Sequence, residues 1–263
     1  MDWRRNLLIG LLVCALALLA MTACDQGARV GDLQTKTEAI ELGNAESVTV
    51  DIRMGAGELQ VSGGASDLLE ATYTYNVEEL DPGATYSNGN LTIQDKDVQT
   101  GIRSLFDLDE YRNEWDLRFN EDVPMEMLID AGAGRSDLKL GNLALTRLDI
   151  NAGAGDLDLD LGGSQSLTRF DYDMGAGDST LDLSGDWQND LDATIRGGVG
   201  QLTVKLPSDV GVRVDINAGI GSINTSGLTK DGDIYTNGAY GESDVKLIIS
   251  IDAGVGEINL DVE

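Results

Sequence analysis

The 263-residue chain has 46 acidic against 18 basic residues, a formal net charge of −28, which makes nucleic acid and anionic lipid headgroups poor partners. It contains two cysteines, both within the first 24 residues, and no histidine. These absences exclude Ser–His–Asp and Cys–His nucleophile systems and the usual ligands of zinc, copper and haem iron, so we predict no cofactor and no catalytic residues of these types.

The first 23 residues are typical of a secretory signal peptide. Arg4 and Arg5 precede an apolar run over residues 7–20, which is shorter than the roughly 20 residues that span a bilayer. Small residues follow, and Cys24 resembles the lipid-accepting cysteine of bacterial lipoproteins. That resemblance implies lipid attachment at Cys24 and an anchor on the extracytoplasmic side of the membrane, in the cell envelope. An uncleaved anchor and an ordinary secreted protein are the alternatives.

A single β-domain is predicted over residues 46–263, after a polar tether at 24–45. Its first part, 46–120, is atypical and carries ordinary antiparallel signals, among them an Asn88-Gly89 hairpin turn. The second part, 121–263, repeats regularly. We expect the alternating aromatic residues of the first part to form a satellite core: Tyr73, Tyr75, Trp115 and Phe119.

The repeat is clearest in the segment LDINAGAGDLDLDL, from Leu148 to Leu161. Its apolar residues alternate from Leu148 to Ala154 and again from Leu157 to Leu161, the pattern of strands with one buried face. The step from Ala154 to Leu157 is odd, so we predict a bend at the glycines between the two sets. Corners of this kind are predicted at Gly55 and Gly57, Gly132 and Gly134, Gly153 and Gly155, Gly175 and Gly177, Gly198 and Gly200, Gly219 and Gly221, and Gly254 and Gly256.

The spacing of the corners predicts the architecture. Between Gly134 and Gly221, successive corners lie about 21 to 23 residues apart, which suits one coil of two or three short strands. Stacked coils bury a continuous apolar column that one coil cannot bury alone. The sequence therefore predicts an all-β fold, a β-solenoid, with a β-sandwich as the alternative architecture.

Three acidic residues after one corner are candidate calcium ligands: Asp156, Asp158 and Asp160. Carboxylates near glycine turns supply the hard oxygen atoms that calcium prefers. Corresponding corners carry Gln201 and Ser222, which would interrupt a ladder of identical sites. The alternative interpretation is that these aspartates form the solvated face of a strand whose leucines point inward.

The alternation from Leu247 to Val262 predicts strands without a polar cap after them. If the coils stack in chain order, these strands leave unpaired backbone groups at one end. Asp252, Glu257 and Asp261 supply charges that protect such an end. The sequence leaves open whether this C-terminal edge is protected or contacts an unknown envelope protein or a second copy.

The recurrent I-[DN]-A-G-[AVI]-G, together with WDLRFNEDVPMEMLIDAGAG, resembles the toast-rack domain family, which is related to adhesin and cell-wall-active antibiotic response domains of bacteria. The resemblance covers residues 45–263. It implies a β-helix-like stack at the cell envelope, a role in surface interaction or stress sensing, and no known catalytic residues. We therefore expect a non-enzymatic envelope module. A calcium-dependent adhesive module and a polysaccharide lyase or hydrolase are the alternatives.

Overall fold

The computed structural model describes residues 30–78, 80–96 and 111–263. The predicted signal peptide and Cys24 lie outside these ranges, within which no helix is long and apolar enough to cross a membrane. The described residues form β1 (Val30–Ile40), β2 (Val48–Ser62), β3 (Leu69–Val77), β4 (Gly83–Ser87), β5 (Asn90–Gln94), β6 (Asn113–Phe119), β7 (Met125–Lys139), β8 (Leu145–Asp160), β9 (Arg169–Asp182), β10 (Leu191–Leu206), β11 (Gly211–Ser226), β12 (Thr229–Asp231), β13 (Ile234–Thr236) and β14 (Lys246–Val262). The fold is all-β, as predicted.

Seven long strands stack in parallel, and each passes through one glycine corner: β2, β7, β8, β9, β10, β14 and β11. The corners are in register, so that Ala154 pairs with Ala133 on one side and with Ala176 on the other. Each coil is therefore one bent strand, with a first arm before the corner and a second arm after it, and not two or three separate short strands. The solenoid prediction is confirmed in this form.

Both arms face one core. In β8, Ile150 is buried before the corner, while Leu157 and Leu159 are buried after it. The buried phase shifts by one residue across the corner, as the odd step predicts, and the inward side chains of both arms belong to a single apolar cluster. Because each fully buried aliphatic side chain contributes on the order of 1.5–3 kcal/mol, this column is the main source of stability.

The last coil in the sequence does not lie at the end of the stack. β14 lies between β10 and β11 and pairs with both in parallel, so that Ile251 pairs with Ile195 and with Ile216. The prediction that the C-terminal strand ends the stack is wrong, because the coils do not stack in chain order. The strand at that end of the stack is β11.

At the N-terminal end, the repeat gives way to an antiparallel cap. β1 pairs with β3, so residues 30–40 belong to the fold and not to the tether predicted over 24–45. β3 pairs in turn with β6, and Tyr73 packs edge-on against Trp115 with ring centroids 5.6 Å apart. The aromatic residues are buried, but they are part of the same apolar cluster as the coils, so the prediction of a separate satellite core is wrong. The Asn88-Gly89 hairpin between β4 and β5 is present as predicted.

Candidate functional site: the outer face of the corners

The corner glycines are needed because neighbouring coils touch there through the backbone. A β-carbon on Gly155 would lie 1.8 Å from the carbonyl oxygen of Gly134, and Gly155 has a φ of +133°, which other residues rarely adopt. A β-carbon would likewise clash with a backbone oxygen at Gly57, Gly132, Gly134, Gly153, Gly175, Gly177, Gly198, Gly200, Gly219, Gly221, Gly254 and Gly256. The corners thus form a continuous ladder that only glycine fits.

The residue between the two glycines faces outward. Ile220 is 76% exposed, Val199 is 56% exposed and Val255 is 48% exposed. The assignment of Ala154 to the buried alternation is wrong, because Ala154 is also exposed on the convex side of its corner. We call this row the corner ridge, and its members are Ala56, which is half-buried, and the exposed Ala133, Ala154, Ala176, Val199, Val255 and Ile220. Sequence reasoning missed it because apolar residues in an alternating strand are normally buried.

A groove lies on each side of the corner ridge. The first, of about 580 Å³, crosses β2, β7, β8 and β9, and its lining includes Met54, Ala131, Ala152 and Met174. The second, of about 440 Å³, lies on the other side and is lined in part by residues of β6 and the segment before it. Small residues and exposed backbone make both grooves shallow. The corner ridge and the two grooves form the candidate interaction surface.

Polar side chains line the rim of the first groove. The amide nitrogen of Asn151 donates to Asp130 over 2.7 Å, and Arg196 pairs with Asp173 over 3.2 Å. These exposed pairs contribute little to stability. They do present alternating donors and acceptors beside an apolar ridge, an arrangement that can contact a partner with both apolar and polar groups.

Asp95 caps the first corner from inside and was not identified from the sequence. It is 1% exposed, and one of its carboxylate oxygens accepts a hydrogen bond from the N–H of Gly55 over 3.2 Å. Asn113 donates to the other oxygen over 3.5 Å and to the carbonyl of Ala56 over 2.9 Å. Burial raises the pKa of Asp95 to about 6, against these stabilising hydrogen bonds. These contacts assign Asp95 a structural role at the end of the ladder.

The calcium candidates do not converge. Asp156, Asp158 and Asp160 alternate along the outer face of one strand, β8. Asp158 pairs with Arg135 over 2.9 Å, and Asp160 accepts a hydrogen bond from the N–H of Gly162 over 2.8 Å. Within the described ranges, no three acidic or cysteine side chains come together as a metal site.

Comparison with known families identifies the fold. The family described as the N-terminal domain of toast_rack, DUF2154, matches residues 29–167 and 164–205, which is more than half of the chain. The chain belongs to this family. The first match covers the antiparallel cap and the coils β2, β7 and β8, and the second covers β9 and most of β10. No curated protein matches the chain significantly.

Three solved structures are similar to this chain to different extents. A protein from Clostridium sporogenes, described as a "putative cell adhesion protein", is 28% identical, with a TM-score of 0.65, over 88% of this chain and 100% of its own. A "putative adhesin" from Bacteroides fragilis has a TM-score of 0.35 at 10% identity, over 86% and 97% of the two chains. Another from Parabacteroides distasonis has a TM-score of 0.30 at 14% identity, over the same shares.

Proposed function

We propose that this toast_rack protein is a non-enzymatic interaction module of the bacterial cell envelope that binds a surface partner through the corner ridge. The observation that carries the proposal is a row of exposed apolar side chains flanked by two grooves, at a position where the sequence pattern would otherwise bury them. Exposed apolar surface rimmed by polar groups is characteristic of interaction sites. The likeness to the Clostridium protein, which is described as a "putative cell adhesion protein", supports the same role.

A second feature supports a binding role over catalysis. The grooves are lined mainly by alanine, methionine, glycine and ion-paired side chains. Asp95, whose pKa burial raises to about 6, is held by a backbone N–H and an asparagine and is closed off from solvent. A general acid or base has to reach a substrate proton, which Asp95 cannot do from this position.

The test is binding of the labelled protein to isolated envelopes of the source bacterium. Ala133→Glu combined with Ala154→Glu places charges on the corner ridge at exposed positions, so the fold should persist while binding falls at least tenfold. Asp158→Ser, on the outer face but away from the corner ridge, is the matched control and should bind normally. Unchanged binding by the ridge variant, with an unchanged melting temperature, would refute the proposal. Running both arms with calcium and with a chelator tests the calcium-dependent alternative directly.

We further propose that Cys24 attaches this module to the membrane by lipid. A single acyl chain binds a membrane only marginally, so stable attachment requires the multiple acylation typical of lipoproteins. Cys24→Ala should release the protein from the membrane fraction or leave its precursor unprocessed. Mass spectrometry that finds a free, unlipidated amino terminus at another residue would contradict the anchor.

A further inference from the structure

The two ends of the stack are covered to different extents. At the N-terminal end, β5 pairs with the first arm of β2 and β6 with its second arm. At the other end, β13 pairs with the first arm of β11 over Arg213–Asp215, and the N–H of Ile216 donates to the carbonyl of Asp233 over 2.9 Å. Beyond that point, no strand of the described chain pairs with the outer side of β11. We call residues 217–226 the open edge.

The open edge carries no charge and no proline, although the protein as a whole is strongly acidic. Its neighbour β14 does carry charge: Asp252, Glu257 and Asp261 pair with Asn217, Ser222 and Ser226. The asparagines of the open edge also hydrogen-bond the acidic side chains of β14. Asn217 donates to Asp252 over 3.0 Å, and Asn224 donates to Glu257 over 2.8 Å. The strand that faces outward is thus the neutral one.

The opposite edge of the sheet shows the usual protection against pairing. β1 carries Asp32, Lys36 and Glu38, and its register with β3 is irregular between Val30 and Gln34. Charges and irregularities of this kind keep an edge strand from pairing with another chain. The open edge has neither of them.

The apolar core is also incomplete at the open edge. Ile223 is 36% exposed, whereas Ile258 and Leu202, which hold the same position in β14 and β10, are 3% exposed. Nothing in the described chain stacks on the second arm of β11, so the inward row ends at solvent. An additional strand there would extend the ladder and cover Ile223.

We propose that the open edge pairs with the open edge of a second copy of the protein. The two strands run antiparallel, and a two-fold axis passes between the two copies of Asn224. β13 blocks the first arm, and the corner bends the chain at Gly219 and Gly221, so the straight segment Ser222–Ser226 is what remains for pairing. A two-fold contact at Asn224 sets Ile223 of each copy across from Thr225 of the other. This interaction is independent of the proposed binding at the corner ridge.

An uncharged edge allows two copies of this acidic chain to pair without close repulsion between their carboxylates. In the dimer, the acidic residues of the two β14 strands are three strand spacings apart, about 14 Å. This separation exceeds the Debye length of about 8 Å at physiological ionic strength, so their repulsion is largely screened. Had β11 carried the acidic residues of β14, like charges would lie about 5 Å apart across the two-fold axis.

The glycine ladder argues against a foreign strand that continues the stack in parallel. A β-carbon on Gly221 would lie 1.6 Å from the carbonyl oxygen of Gly256, and a parallel strand crossing the corner beside Gly221 meets the same restriction. It would need a matching Gly-x-Gly. Antiparallel pairing along the second arm alone avoids the corner, and antiparallel is the direction in which two copies related by a two-fold axis pair.

The test is disulfide trapping in the full-length chain. Directly opposed residues of antiparallel strands have Cα atoms about 4.5–5.5 Å apart, within the range of a disulfide. Asn224→Cys should therefore give a covalent dimer under mild oxidation, while Asn259→Cys, one strand inward on the same face, should not. The wild-type chain, whose two cysteines are Cys14 and Cys24, sets the background. Adding Ile223→Lys to Asn224→Cys should lower the dimer yield at least fivefold.

Each outcome decides for or against the proposal. A dimer with Asn224→Cys and not with Asn259→Cys, at wild-type melting temperature for both, supports it. Equal trapping at the two positions indicates random collision and overturns it. A folded Asn224→Cys variant that stays monomeric at about 100 µM also overturns it. So does a covalent adduct of that variant with a different protein, since the edge would then serve another partner.

Discussion

Asp95 holds the first corner of the stack through its hydrogen bond to Gly55, but its burial removes the water that would hydrate its carboxylate. Its burial raises its pKa to about 6, so at neutral pH it is held charged in a nearly dry site. In the unfolded chain the same group titrates near 4. The difference corresponds to on the order of 3 kcal/mol between the two protonation states.

We predict that Asp95 makes the protein more stable in mild acid. Between about pH 4 and pH 6, Asp95 is protonated in the folded state and ionised in the unfolded state. The free energy of unfolding therefore rises as pH falls through 6. Asp95→Asn should remove this dependence. Denaturant unfolding at pH 4.5, 5.5 and 7 measures the difference between variant and wild type.

The control for this prediction is Asp81→Asn. A hydrogen bond from Lys96 lowers the pKa of Asp81, so its contribution to stability is lost only as pH falls below the unfolded pKa of about 4, and Asp81→Asn should differ from wild type by the same amount at pH 4.5, 5.5 and 7. A difference between Asp95→Asn and wild type that stays constant from pH 4.5 to 7 would contradict the role assigned to Asp95.

Neighbouring residues on one strand should differ sharply in their effect on stability. Leu159 is 2% exposed, so Leu159→Asp removes apolar burial and leaves a carboxylate in the core, which should unfold several coils. Asp158→Ser removes only an exposed pair with Arg135, worth about 0–1 kcal/mol. Thermal melting of both variants checks this, and equal melting temperatures would refute the inward and outward assignment.

At the scale of the strand, the corner depends on its glycines. Gly155→Ala adds a β-carbon 1.8 Å from a backbone oxygen at a φ of +133°, and we expect a loss on the order of 2–5 kcal/mol. Gly238→Ala, where a β-carbon meets nothing within 4 Å, is the matched control and should be nearly neutral. Denaturant unfolding compares the two. Similar stability for both variants would mean that the ladder tolerates side chains.

The sequence predicts the coil but not the direction of every side chain in it. The odd step from Ala154 to Leu157 is enough to predict the bend, because a period of two admits no other way to keep Leu157 and Leu159 inward. That Ala154 points outward depends on the unusual backbone of Gly155, which only the three-dimensional structure shows. The same limit hid the corner ridge and left Asp95 unnoticed, since its contacts come from segments distant in the chain.

At the scale of the whole molecule, local pattern predicts the stack but not its order. β11 and β14 have nearly the same sequence pattern, and both fit beside β10 equally well by periodicity. The choice is made by the segment between them, where β13 occupies the outer side of the first arm of β11. The spacing of apolar residues does not show tertiary packing of this kind. For this reason the sequence places the end of the stack at β14, whereas the structure has β11 there.

The exchanged order of β14 and β11 also affects the order in which the coils can fold. A chain that is exported from its N-terminus, as proposed above, emerges with β11 before β14, so β11 appears while the strand that will separate it from β10 is still absent. The coils from β2 to β10 can assemble in the order in which they emerge, but β11 can take its place only after β14 has emerged. During that interval the edges of β10 and β11 both lack their neighbour, and incompletely folded chains with such edges are prone to aggregate and depend on chaperones.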